Sequence, residues 1–207
     1  MLSLSIAVTH RDTGQVRRVD QRIEVESGAT KAWPGWLVVS RQLDLPSGVV
    51  QARTVVRDEF LGRLGAVTMR FVVPEATPLR VSTPILSARL SSGDGGAPVA
   101  PLLLARREFE PSGLLYCQYQ VFGAVLRGRS PRVEGSFELR RKNGDVMRRA
   151  SPSLIEPGQD GRLVRLLAVP LDGLAEGDYE LRLRVEDTAT GESFEHLEAL
   201  RLSRRPT

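Results

Sequence analysis

An all-β chain of two tandem sandwiches is the fold class this sequence predicts, and three observations predict it. Apolar and polar residues alternate along most of the long segments, the period of two that sends one row of side chains into a core and the other into water. Clusters of Gly, Pro, Asn and Asp punctuate those segments at short intervals, as turns require. No stretch carries the 3.6-residue period of a long amphipathic helix. The clearest segment follows Leu174, where Tyr179, Leu181, Leu183 and Val185 alternate with Asp178, Glu180, Arg182, Arg184 and Glu186.

Leu174, Gly177 and Tyr179 have the spacing of the corner that enters a late strand of an Ig-like or fibronectin type III-like sandwich. In such a corner a Tyr hydroxyl ties back to backbone a few residues upstream. A second copy lies earlier, from Leu45-Pro46-Ser47-Gly48 to Val56-Arg57-Asp58. Leu45, Gly48, Arg53, Val56, Asp58 and Gly62 match Leu174, Gly177, Arg182, Val185, Asp187 and Gly191, each 129 residues later. The turn Asp12-Thr13-Gly14 matches Lys142-Asn143-Gly144 at an offset of 130. A one-residue change of offset is what a small loop insertion between duplicated domains produces.

The first domain is expected over residues 1–74. Leu4, Ile6 and Val8 mark its first strand, and Asp12-Thr13-Gly14 turns the chain into a polar strand at 16–25. Ser27-Gly28-Ala29-Thr30 breaks that strand, and Trp33-Pro34-Gly35-Trp36 leads into a short strand at Leu37-Val38-Val39. Strands at 49–57 and 65–73, joined by Phe60-Leu61-Gly62, finish it. Residues 75–84, with Pro78 and Pro84 after Pro74 and a short strand Leu79-Arg80-Val81 between them, read as a stiff connector, because Pro lacks a backbone donor and resists sheet interiors.

The second domain is expected over 85–207, with strands at 85–90, 114–121, 133–141, 145–150, 163–169, 179–185 and 194–202. Asn143-Gly144 is a hairpin signal. The loop Ser91-Ser92-Gly93-Asp94-Gly95-Gly96-Ala97-Pro98 is not a phosphate cradle, since neither Lys-Ser/Thr nor a helix follows. Because 131–204 matches 1–74, the first domain lacks counterparts of the second domain's first two strands. Five strands against seven leave core and a sheet edge uncovered, which predicts self-association there or completion by an upstream domain of the same polypeptide.

Composition narrows the function. The net charge of +4 comes from 29 basic residues, 27 of them Arg, interleaved with 25 acids. That pattern describes solvated strand faces, so no nucleic-acid partner is expected. No apolar run approaches the ~18 residues of a membrane span, so no membrane insertion is expected. The opening Met1-Leu2-Ser3-Leu4-Ser5-Ile6 alternates and has no basic start, unlike a signal peptide.

His10 and His196 are the only histidines, one per domain, which supports neither a His-rich metal site nor a Ser/His/Asp triad. Asp172, Glu176 and Asp178 lack Ca²⁺-ligand spacing. We therefore expect no catalytic residues, metal or cofactor. Cys117, the only cysteine, stands where the first cysteine of an Ig disulfide would. Its partner position holds Leu181, so Cys117 reads as a buried apolar residue. Leu174, Gly177, Tyr179 and Gly48 are structural. The binding candidates are Arg140, Arg141, Lys142 and Arg148 (with Arg149), which flank one hairpin opposed by Asp145. They suit an anion or acidic protein, although alternation sends neighbouring residues to opposite faces. Trp33 and Trp36 cap the core at a strand edge or, alternatively, form a carbohydrate-stacking platform.

Leu45-Pro46-Ser47-Gly48 with Asp58, Gly62 and the run from Gly65 to Val72-Val73-Pro74 resembles a segment of bacterial von Willebrand factor A-related secreted proteins, downstream of their A-type domain. Arg106-Arg107-Glu108-Phe109 with Gly113 and Tyr116, then Leu174 to Tyr179 and Asp187-Thr188-Ala189-Thr190-Gly191, is similar to the region ending those chains. The ion-site motif Asp-x-Ser-x-Ser is missing, so the resemblance implies an accessory role and not metal-ion adhesion. It implies a periplasmic or extracellular place. The expected function is a non-catalytic structural or protein-interaction module of a cell-envelope or secreted protein. Carbohydrate binding through Trp33 and Trp36 is the alternative, and a weak hydrolase would need a carboxylate pair across a cleft.

Overall fold

The computed structural model describes residues 1–25, 37–75, 77–91, 99–104, 106–125 and 131–204. Among them the elements are thirteen strands and no helix. The chain divides into two compact units, Met1–Glu75 and Ala76–Thr207.

In the second unit, alternation becomes a two-sheet core. Its strands are β5 (Arg80–Val81), β6 (Ile85–Ser87), β7 (Glu108–Phe109), β8 (Leu114–Phe122), β9 (Val133–Arg141), β10 (Val146–Leu154), β11 (Leu163–Pro170), β12 (Gly177–Asp187) and β13 (Glu192–Leu202). One sheet has the order β10-β9-β12-β13-β7, and the other has β11-β8-β5 with β6 also on β8. The inner rows share a single core. Leu115, Cys117, Tyr119 and Val121 of β8 and Leu163, Leu167 and Val169 of β11 contribute from one sheet. Val133, Phe137 and Leu139 of β9, Tyr179 to Val185 of β12, and Leu200 and Leu202 of β13 contribute from the other.

The first unit contains β1 (Leu2–His10), β2 (Val16–Ile23), β3 (Gly48–Asp58) and β4 (Leu64–Val73). They form one antiparallel sheet in the order β2-β1-β3-β4. That order is the order β10-β9-β12-β13, and the register is the same as well. Leu2 pairs with Asp58 as Val133 pairs with Asp187. Gly48 pairs with Val73 as Gly177 pairs with Leu202, and Thr9 with Val16 as Arg140 with Val146. The turns repeat too: Gly62 N–H donates to Asp58 O (2.8 Å) as Gly191 N–H does to Asp187 O (2.7 Å). Both glycines have positive φ, 68° and 75°, where a side chain would be strained. Only the outer pair departs, because β10 shifts register twice against β9.

Three expectations need correction. Leu37-Val38-Val39 forms no strand. In the second unit β11 holds the corresponding place in the chain by pairing along β8, and no counterpart of β8 exists among the first unit's described residues. The expected five strands are therefore four. Residues 77–84, expected as a stiff connector between the domains, belong to the second unit. Leu79 and Val81 are buried in the second unit's core, β5 pairs with β8, and Leu79 N–H donates to Glu192 Oε1 at 3.1 Å. The strand expected at 85–90 ends at Ser87, with Leu90 bridging Pro101 beyond it.

The first unit's core is correspondingly small. Val8, Val50 and Ala52 are buried, with Ile6, Leu43, Leu45 and Val73 packed against them. His10 closes this end. Its Nε2 lies 2.9 Å from Ser47 O, and Thr13 N–H donates to its Nδ1 at 3.3 Å. Since Nδ1 accepts, the proton sits on Nε2 and is donated to the carbonyl. A Cβ on Gly48 would meet this ring at 2.5 Å, so the position requires glycine for space as well as for its φ of 129°.

Candidate binding cleft at the tyrosine corner

The corner itself is built as its spacing predicts. Leu174 and Tyr179 are buried, and the Tyr179 hydroxyl donates to Ala175 O at 2.7 Å. The Tyr179 hydroxyl oxygen also accepts from Arg141 Nε at 3.4 Å, and this hydrogen bond holds the Arg141 guanidinium above its ordinary pKa. The β9–β10 hairpin is closed by Gly144 N–H to Arg141 O (2.8 Å) and Arg141 N–H to Asp145 O (2.9 Å). Lys142 N–H then donates to Asp178 O at 3.1 Å, docking the hairpin on the corner. On the other side, Arg201 N–H donates to Arg107 O at 2.9 Å where β7 runs parallel to β13.

These contacts leave a depression of about 650 Å³ at this end of the sheet. Six cationic side chains (Arg106, Arg107, Arg140, Arg141, Lys142 and Arg201) and three carboxylates (Glu108, Asp178 and Glu180) line it. Arg140 and Arg141 share it because strand alternation loses force where β9 ends and the hairpin begins. Arg140 and Arg107 are held in ion pairs. Arg140 Nε donates to Glu138 at 2.9 Å, and Arg107 pairs with Glu198, which is buried and also 2.8 Å from His196 Nε2. Burial, with the Arg107 charge beside it, lowers the His196 pKa. Lys142 and Arg201 make no ion pair among the described residues.

Of the expected binding residues, Arg140, Arg141 and Lys142 meet in this cleft, and Arg148 does not. Arg148 Nε donates to Pro170 O at 3.2 Å, and its terminal nitrogen to Asp172 O at 2.6 Å. It is a brace between β10 and the turn after β11. Arg149 lines a second depression, of about 570 Å³, with Arg182 and Arg184. Arg106, Arg107 and Arg201 were missed as cleft residues. Their neighbour β7 is two residues long, too short for any period to show. Trp33 and Trp36 lie outside the described residues.

The remaining polar candidates separate. Asp172 Oδ1 accepts from Gly113 N–H at 2.9 Å, Glu176 faces Arg204 at 3.5 Å, and Asp178 lines the cleft. Among the described residues, no three His, Cys, Asp or Glu side chains converge as a metal cage would require. Cys117 is fully buried and unpaired, and burial pushes its thiol up to about 12. No protein-family model matches the chain, and no curated protein matches its sequence.

Proposed function

We propose that this chain is a non-catalytic protein-interaction module whose second unit takes an acidic segment of a partner protein into the cleft beside Tyr179. One observation carries the reading: six cations against three carboxylates around one concavity, with Lys142 and Arg201 making no ion pair among the described residues. An extended peptide bearing Asp or Glu suits such a groove because its carboxylates meet guanidinium and ammonium groups held on rigid strand ends. The bond from Tyr179 to Arg141 and the hairpin contacts pre-organise that rim, which lowers the ordering cost of binding.

The finer identity belongs to the same proposal. An Ig-like or fibronectin type III-like second unit is supported by the corner bond, by a strand order that splits β8 and β11 from β9, β12 and β13, and by the burial of Cys117 and Leu181. Placement as an accessory module of a bacterial envelope or secreted protein rests on the resemblance of Leu174–Tyr179 and Asp187–Gly191.

The experiment is fluorescence anisotropy with labelled Glu-rich and Lys-rich peptides at low and high salt. Saturable binding of the acidic peptide alone is expected. Affinity should fall by roughly threefold to thirtyfold in a Lys142→Glu/Arg201→Glu variant, the scale of two lost charge contacts. Equal binding of both peptides, or an unchanged double variant, would contradict the cleft.

A further inference from the structure

The repeated sheet shows what its own inner face is for. In the second unit that face is one half of a core, and Val185, Glu198 and Leu200 are 0 %, 4 % and 4 % exposed. The residues at the same register positions of the first unit are Val56, Met69 and Phe71, and they are 36 %, 55 % and 39 % exposed. Val67, beside them on the same row, is 54 % exposed. Cross-strand pairing puts Val56 opposite Gly65, Thr54 opposite Val67, Ala52 opposite Met69 and Val50 opposite Phe71. This is a continuous apolar row on β3 and β4, open toward the side on which the second unit carries β8 and β11. Leu43 and Leu45 fill only the end near Val50.

We propose that this face is covered by the same face of a second copy of the chain, so that two first units make one intermolecular sandwich. Three features favour a copy as the occupant. The row from Thr54 and Val56 to Gly65, Val67, Met69 and Phe71 contains no charge, while Arg53, Arg57 and Arg70 alternate onto the opposite face. An isologous contact centred on β3 and β4 therefore buries no like charges, Arg17 sharing the face only from β2, opposite Val8. The copy presents the same strand spacing and pleat, which is what two sheets need to interdigitate at ~10 Å. The size fits a weak self-contact: two strands ~4.8 Å apart and about nine residues long present roughly 300 Å² on each copy, below the range of permanent interfaces. The association is thus concentration-dependent, and it stands independently of the cleft in the second unit.

The test is light scattering and sedimentation of the full chain from about 2 to 200 μM. The expected mass rises from one chain toward two. Met69→Lys and Val67→Lys, solvated in the free unit, hold it at one chain with an unchanged circular dichroism spectrum. Val72→Lys, an exposed position on the opposite face, leaves the dimer intact. A wild type that stays one chain at every concentration overturns the proposal, as when another part of the polypeptide covers the face. So does a dimer that both core-row variants leave as strong as Val72→Lys does.

Discussion

A Cβ on Gly135 would stand 2.7 Å from the hydroxyl of Tyr119. That hydroxyl is buried without a hydrogen-bond partner among the described residues, so β9 is kept bare at one position to admit the tip of a side chain from β8. The first unit holds Leu4 at the corresponding register position, pairing with Val56 as Gly135 pairs with Val185. With no Tyr arriving from a facing sheet among its described residues, a leucine fills the space there. Tyr119→Phe should be neutral or stabilise by up to about 1 kcal/mol, since it removes an unsatisfied polar group. Gly135→Ala should cost about 1–3 kcal/mol by overpacking, and less in the Tyr119→Phe background. Urea unfolding of the four proteins measures the coupling; strictly additive costs would refute the contact.

The opposite sign is expected at the corner. Tyr179 donates a made hydrogen bond to Ala175, so Tyr179→Phe should cost about 1 kcal/mol. Tyr179→Ala should cost roughly 3–5 kcal/mol through the cavity left in the core. Matching unfolding midpoints for the wild type and both variants would remove the corner from the account.

The two corner glycines separate conformation from space. Gly177 (φ 146°) has nothing near a would-be Cβ, whereas Gly48 (φ 129°) lies under the His10 ring. Both Ala variants are strained by positive φ, and Gly48→Ala carries a steric cost in addition. His10→Ala should relieve that extra part and leave Gly177→Ala unaffected. Thermal scans of these variants check it, and identical costs at both glycines would show that the ring does not pack there.

Much of this fold was legible because the long strands are half-buried. Alternation located β8, β9, β12 and β13 within a residue or two, and the paired offsets revealed the repeated sheet before any coordinate was known. The short strand read at Leu79-Arg80-Val81 is β5, but alternation could not reveal β7, which is two residues long and exists because β13 offers it an edge. The apolar run Leu37-Val38-Val39 reads as a strand but forms none, with no counterpart of β8 among the first unit's described residues to pair with it. The cleft was half visible: Arg140, Arg141 and Lys142 share a hairpin, but Arg106, Arg107 and Arg201 reach it only through tertiary pairing.

Cys117 supplies a pH test of the second core. Burial raises its thiol from an ordinary 9.0 to about 12, so the folded state holds the proton more tightly than the unfolded chain does. That contribution to stability is complete below the ordinary value and is lost as pH rises toward the folded one. Unfolding midpoints should fall between about pH 9 and 12, and more shallowly in Cys117→Ala. Thiol reagents should label the native protein slowly at pH 8 and the urea-unfolded protein at once. Rapid native labelling would mean that the core opens.

Hydrogen exchange at two protein concentrations tests most directly whether one repeated sheet is covered from within and the other from outside. At about 2 μM the amides of β3 and β4 should exchange well ahead of those of β12 and β13. Near 200 μM they should slow markedly while β12 and β13 stay unchanged. Protection of β3 and β4 that matches β12 and β13 at the lower concentration, or that ignores concentration altogether, would contradict the account.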